Sequence, residues 1–215
     1  MYIYQFMPAE YAIDNLRKRR LKVSLFEDLN DPFELLGARQ SDTETAEQFK
    51  ALKADLNAKS MILCFSRSWD SPLMWSHYAD KHRGMCLGFK VADGFAVPVT
   101  YASSRLELQA EKQLAKVPGN TESLSLKLMT TKFSGWEYEK EVRKILAPSQ
   151  TYKELGLYFY DFSDELRPYK VIIGPRCIVS VNEVKSALHP LDRNAIVICS
   201  RLAFKTFRVL PTRKI

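Results

Sequence analysis

KFSGWEYEKEVRKI, residues 132–145, sets Glu137, Glu139 and Glu141 at alternate positions, with Arg143 in the same phase and Trp136 and Tyr138 between them. On an extended backbone side chains alternate faces, so the three carboxylates and Arg143 share one face. Like charges so placed repel unless water, a cation or a ligand separates them. On a helix, Glu139 and Arg143 form a favourable i,i+4 pair, while Glu137 and Glu141 form an unfavourable one. The plain alternative is a solvated helix end that runs into a strand, because charge runs commonly mark a wet face.

The surrounding chain favours sheets with helices between them. Short apolar or alternating runs predict strands at YIYQF (2–6), LKVSLF (21–26), MILCFS (61–66), GMCLGFKV (84–91), VRKILA (142–147), LYFYDF (157–162) and KVIIG (170–174). AIVICS and TFRVLP close the chain as strands, and Pro98 marks FAVPVTYA (95–102) as an edge strand. Helices are predicted over 8–20, where Pro8 suits a first turn, over 41–59, over 71–81 with Ser71 as cap and Pro72 at the first position, and over 181–188. Residues 104–131 read as helix interrupted at PGN (118–120), and NDPFE (30–34) as a turn. The fold class is α+β: one domain over 1–215, with about eight to ten short strands in mixed or antiparallel sheets flanked by helices.

Hydrophobic residues make up 46% and charged residues 27%, the balance of an ordinary globular protein. No apolar run approaches the roughly 20 residues that cross a bilayer, so no membrane partner is expected. A charged helix stands where a signal peptide would need an apolar core, which makes the cytoplasm the expected location. Cys64, Cys86, Cys177 and Cys199 are far apart in apolar contexts and read as reduced core thiols. Their spacing does not suit a zinc site, and His77 and His82, five apart, do not suit two ligands on one helix face. The net charge is +7, with basic clusters at RKRRLK (17–22) and RLAFKTFRVLPTRKI (201–215), which permits attraction to a nucleotide or nucleic acid.

Three stretches could carry chemistry. Asp31 and Glu34 lie on a turn fixed by Pro32; either Asn30 or Asp31 caps its own backbone there, with Phe33 as a core plug, or the rigid loop presents a carboxylate to a pocket. Trp75, His77 and Tyr78 share a short helix and could stack a flat ligand, or else pack in the core. Lys132, Trp136, Glu139, Glu141 and Arg143 form the third group, in which a carboxylate can orient a hydroxyl or stabilise positive charge and an arginine can fix an anion.

In the order NDPFE, LCFS, MWSHYADKHRGMCLGF and K…WEYEKEVR, the chain resembles the bacterial DUF2971 family over roughly residues 2–180. The family label carries no activity. Gln5 departs from the basic residue more usual in the family's first strand. The order of elements is also similar, more remotely, to ADP-ribosyltransferase folds, which hold NAD in a cleft between two small sheets. That resemblance implies NAD as cofactor and a nucleic-acid or protein target, in a toxin or phage-defence setting. It assigns Glu141 or Glu139 as the glutamate that orients the ribose and supports its positively charged transition state, with Arg143 beside it. It also implies a ligand site made of Tyr4, Asn30, Asp31, Trp75, His77, Tyr78, Lys132 and Trp136, with Tyr78 or Tyr4 stacking on the nicotinamide and no metal. Two alternatives stand beside it. Asp31 with Glu141-Val142-Arg143 faintly matches the carboxylate and (D/E)-x-K pattern of Mg²⁺-dependent nucleases, with Arg for Lys. A non-catalytic binding or sensor module is the other.

Overall fold

The alternating runs form strands and the amphipathic ones helices, in the expected mixed α+β class. The computed structural model describes residues 1–35, 38–39, 43–107 and 121–212. In chain order the elements are β1 (Tyr2–Met7), α1 (Ala9–Lys18), β2 (Arg20–Val23), β3 (Ala38–Arg39), α2 (Thr43–Lys59), β4 (Met61–Ser66), α3 (Pro72–Tyr78), β5 (Met85–Lys90), β6 (Val97–Pro98) and β7 (Thr100–Ala102). They continue with β8 (Leu106–Glu107), α4 (Thr121–Met129), β9 (Thr131–Phe133), β10 (Glu141–Leu146), β11 (Tyr152–Glu154), β12 (Leu157–Asp161), β13 (Arg167–Ile173), α5 (Val181–Ala187), β14 (Ile196–Leu202) and β15 (Val209–Pro211).

Eight strands form the main sheet, in the order β15-β14-β13-β5-β1-β4-β10-β6. Its two faces have different chemistry. Ile3, Met7, Leu63, Phe65, Leu87, Phe89, Val142, Val171 and Ile173 belong to the large apolar core, which also takes Leu16 from α1 and Val184 from α5. The opposite face carries Tyr4, Cys64, Ser66, Glu141 and Arg143, placed together by register. Tyr4 pairs with Ser66, Ser66 with Glu141, and Cys64 with Arg143 across β1, β4 and β10. The polar side chains therefore share one face because strand side chains alternate with a period of two.

Between β1 and β4 the sheet is nearly split. Tyr4–Ser66 is the one registered pair between these strands among the described residues, whereas β1 pairs with β5 along all six of its residues. β4 instead takes a bridge from Ser24, just past β2, whose N–H donates to the Ile62 carbonyl at 3.0 Å. β2 belongs to the three-stranded sheet β11-β12-β2.

Several boundaries differ from the sequence reading, each for a local reason. The 95–102 run breaks into two strands: Val97–Pro98 is the expected edge beside β10, and Thr100–Ala102 runs parallel to β9. The 21–26 run stops at Val23, and Phe26 turns into the core from a 3-10 turn. Leu106–Glu107 is strand rather than helix, α4 follows at Thr121, and the PGN interruption lies outside the described residues. The described residues hold fifteen strands, more than expected, because several are two- or three-residue pairings that periodicity cannot register. All four cysteines are free thiols. Cys86 is buried as expected, Cys64 and Cys177 are half-buried, and Cys199 is exposed rather than in the core.

Gly84 is needed where α3 returns to the sheet, since a Cβ there would run into the Met7 carbonyl oxygen and the Ala79 backbone. Both obstacles are main chain and cannot rotate away. Gly84→Ala should lower the unfolding free energy by about 1–3 kcal/mol, read as a lower thermal midpoint.

Candidate functional site

The 132–145 stretch is neither continuous strand nor solvated helix. Ser134–Glu139 form a 3-10 turn that ends at Lys140, whose φ of 48° is left-handed, and β10 begins at Glu141. Such a residue reverses the local direction of the chain. Glu139 and Glu141 therefore both point inward although the Lys140 between them is exposed, and Glu137 stays in solvent. Backbone bonds fix the two ends of this kink. The Ser66 hydroxyl donates to the Glu139 carbonyl at 2.6 Å, and the Glu141 N–H donates to the Tyr101 hydroxyl at 2.7 Å.

Arg143 is fully buried beneath them. Its Nε and Nη2 donate to Oε1 and Oε2 of Glu141 at 2.8 and 3.0 Å. Its Nη1 and Nη2 donate to Oε2 and Oε1 of Glu34 at 2.9 and 2.5 Å, and Nη1 also donates to the Met129 carbonyl at 2.8 Å. Five hydrogen bonds match the five N–H groups of a guanidinium. Lys132, also buried, donates from Nζ to Glu139 Oε2 at 2.6 Å and to Glu141 Oε2 at 3.1 Å, and lies 3.8 Å from Glu34. The Trp136 ring covers this ammonium at 4.9 Å. The remaining oxygen of Glu139 accepts a hydrogen bond from the Tyr78 hydroxyl.

Glu34, Glu139 and Glu141 thus face two cations, which leaves one net negative charge when all are ionised. The two central carboxylates respond differently. Burial pushes Glu141 upward, but Arg143 and Lys132 outweigh it and hold the carboxyl below its ordinary value of 4.5. Burial pushes Glu139 upward too, and Lys132 and Tyr78 offset this only in part, so its pKa stays raised. Burial, reinforced by the Glu139 charge, raises Tyr78 far above the usual phenol range. The same attraction to Glu141 and Glu139 outweighs burial at Lys132 and keeps it protonated.

A cavity of about 250 Å³ opens beside this cluster at the split in the sheet, and Tyr4, Ser66, Tyr78, Lys132, Glu139 and Glu141 are in its wall. A second cavity, about 700 Å³, adjoins it and shares Gln5, Phe6, Lys22 and Ser24 as lining; Lys18 and Arg20 lie further along.

Of the residues singled out in the sequence, Tyr4, Asn30, Tyr78, Lys132, Glu139 and Glu141 line the first cavity, and Arg143 stands behind it. Trp75 does not: it is fully buried, donates to the Trp69 carbonyl at 2.6 Å and packs edge-on against Phe6. His77 is exposed on the outer side of α3 against Tyr138, because at 3.6 residues per turn two positions on from the buried Trp75 faces nearly the opposite way. Trp136 acts through Lys132 from outside the cavity. Asp31 caps its own turn, with Oδ1 accepting from the Phe33 N–H at 2.9 Å, and Phe33 is half-exposed rather than a core plug. The carboxylate that this loop delivers is Glu34. The proline-fixed turn marks Glu34 as a carboxylate that could face a pocket, but not as a partner of Arg143; Ser66 and Tyr101 were not singled out and become visible only through strand register. Among the described residues no cluster of His, Cys, Asp and Glu has the arrangement of a metal site, and no helix is long and apolar enough to cross a membrane.

Residues 74–144 match the model of a family described as a protein of unknown function (DUF2971), which bears out the resemblance drawn from the motifs in that segment. The match holds Tyr78, Lys132, Glu139, Glu141 and Arg143 but neither Tyr4 nor Glu34. No curated protein and no solved structure matches the chain.

Removing Arg143 would leave Glu34 and Glu141 buried without their principal counter-charge. Arg143→Met should cost about 3–5 kcal/mol in urea unfolding. Arg143→Lys should restore only part of it, since an ammonium has three donors and no planar fork. The depressed pKa of Glu141 adds stability that is present above 4.5 and is lost as pH falls through its lower folded value. Glu141→Gln cannot titrate, so its stability should fall less steeply with acid than the wild type's.

Proposed function

We propose that the chain is an NAD-dependent, ADP-ribosyltransferase-like enzyme whose reacting carboxylate is Glu139. The observation that carries this reading is a buried carboxylate in a cavity wall that retains negative charge beyond what its cations neutralise. Such a site favours a ligand that is cationic or becomes so. When bound, NAD supplies a glycosidic bond to a positively charged nicotinamide, and breaking it places positive charge on the ribose.

Tyr4 and Tyr78 give the cavity aromatic wall, and the adjoining cavity offers length and a cation at Lys22 for the diphosphate end, while Lys18 further along is paired with Asp14 and Glu154. Tyr78 and Lys132 each hold one oxygen of Glu139, which fixes the carboxylate before any ligand arrives. Glu141 has both oxygens engaged by Arg143 and serves as the anchor that positions Lys132. Glu139 therefore takes the role that the sequence divided between the two. The split between β1 and β4 supports a cleft reading as well, although one broad sheet stands where two small ones were expected.

The Mg²⁺-dependent nuclease alternative meets a specific obstacle. Of its two carboxylates, Asp31 caps its own turn and is not in the cavity wall, and Glu141 has both oxygens engaged by Arg143. Arg143 has every N–H engaged and cannot take the part of a titrating lysine. A sensor module would share the binding chemistry and differ in having no turnover.

Nicotinamide release and NAD affinity separate these readings. Glu139→Gln keeps shape and loses charge, and should lower turnover about a hundredfold to a thousandfold while NAD affinity changes far less. The raised pKa of Glu139 should put the acid limb of the rate profile above 4.5, with activity lost as pH falls and the carboxylate protonates. A wild-type protein that neither binds nor consumes NAD, with nucleic-acid and protein targets supplied, ends the transferase reading.

A further inference from the structure

The β14–β15 hairpin carries a surface that the fold does not use. Phe204 and Phe207 at its tip are 94% and 97% exposed, although large aromatics are ordinarily covered. They alternate with Arg201, Lys205 and Arg208, and the Arg201 guanidinium lies 5.2 Å from the centre of the Phe204 ring. No Asp or Glu follows Asp192, while six Lys or Arg do. The tip has defined geometry, since Leu202 pairs with Val209 and the Ala203 N–H donates to the Arg208 carbonyl at 3.0 Å.

The base of the hairpin leads to the site described above. Arg208 pairs with Asp70, and the Val209 N–H donates to the Asp70 carbonyl at 2.9 Å. Arg208 and Asp70, with Tyr4, Arg67 and Trp69, line a cavity of about 310 Å³. Tyr4 is also part of the wall of the Glu139 cavity. An aromatic and basic surface therefore runs from the exposed tip to the edge of the candidate site.

We propose that this hairpin binds single-stranded nucleic acid and so supplies the target of the enzyme. This rests on the transferase reading for its meaning but not for its test. Rings interleaved with cations suit a strand whose bases offer π-faces and whose phosphates repeat, and stacking on such rings tolerates any base. A duplex hides those faces. A planar membrane could meet the tip but could not follow the surface inward to Tyr4.

The test is fluorescence anisotropy, without NAD, on labelled single strands of about 12 nucleotides over a range of salt. The wild type should bind, and Phe204→Ala with Phe207→Ala should weaken binding roughly tenfold or more with little change in salt dependence. Lys205→Ala should reduce the log–log salt slope by about 0.7, the share of one phosphate contact. These side chains are exposed, so unchanged unfolding midpoints will show that the variants remain folded. No binding by the wild type overturns the proposal, as does wild-type affinity in both variants. So does capture of phosphatidylserine vesicles that depends on the two phenylalanines while strand binding does not. Strand binding without NAD turnover removes the transferase reading alone, and turnover without strand binding removes the hairpin proposal alone.

Discussion

The buried guanidinium of Arg143 fixes the arrangement on which the polar face of the sheet depends. It joins three parts of the chain: Glu34 on the proline-fixed loop, the Met129 carbonyl at the end of α4, and Glu141 at the start of its own strand. A charge in the interior is tolerable only when its donors are met by well-placed acceptors. That demand works in the other direction as well. Because all five N–H groups are satisfied, the loop, the helix end and the strand have little freedom to move relative to one another.

This anchoring divides labour between two glutamates that look equivalent in the sequence. Glu141 accepts from a guanidinium at both of its oxygens, so its charge is held and its pKa falls. Glu139 faces one ammonium and one phenol, and burial dominates its pKa. Lys132 connects the pair by donating to both. The lysine could not be released toward a ligand without leaving carboxylates uncompensated, so its role is positional, and Glu139 is the member of the cluster whose charge remains available to the cavity.

Much of this could be read in the sequence, and what could not has identifiable causes. Six-residue runs such as MILCFS and YIYQFM declare themselves by composition, and they are the strands that build the site. Lys132, Glu139, Glu141 and Arg143 were visible as a group because they lie within a dozen residues of each other. The turn before the strand was hidden by Lys140, since nothing in its side chain announces a positive φ, and with the turn went the exclusion of Glu137 from a face that an extended backbone would have given to all three carboxylates. The partner of Arg143 was hidden by distance, because Glu34 lies 109 residues away and no local pattern links the two. The aromatics of α3 were ambiguous for a third reason. Over seven residues, helical spacing cannot separate a ring that fills the core, as Trp75 does, from one that tips into a cavity, as Tyr78 does.

The strand register gives Tyr4 a position that no other side chain of the site shares. It lies opposite Ser66 at the one place where the sheet remains joined, and its ring contributes to the Glu139 cavity and to the cavity beneath the β14–β15 hairpin. Its hydroxyl is tied to that of Tyr169 at 2.7 Å. The two rings can approach in this way because Gly88 lies between them: a Cβ there would come within 3.0 Å of Tyr169 and 3.1 Å of Tyr4. Burial, largest among the influences on both phenols, raises them, so neither ionises near neutral pH and the pair presents a neutral, apolar partition. That wall separates the chamber of Lys132, Glu139 and Glu141 from one in which Arg67 stands beside the Arg208–Asp70 pair, so each keeps its own set of charges.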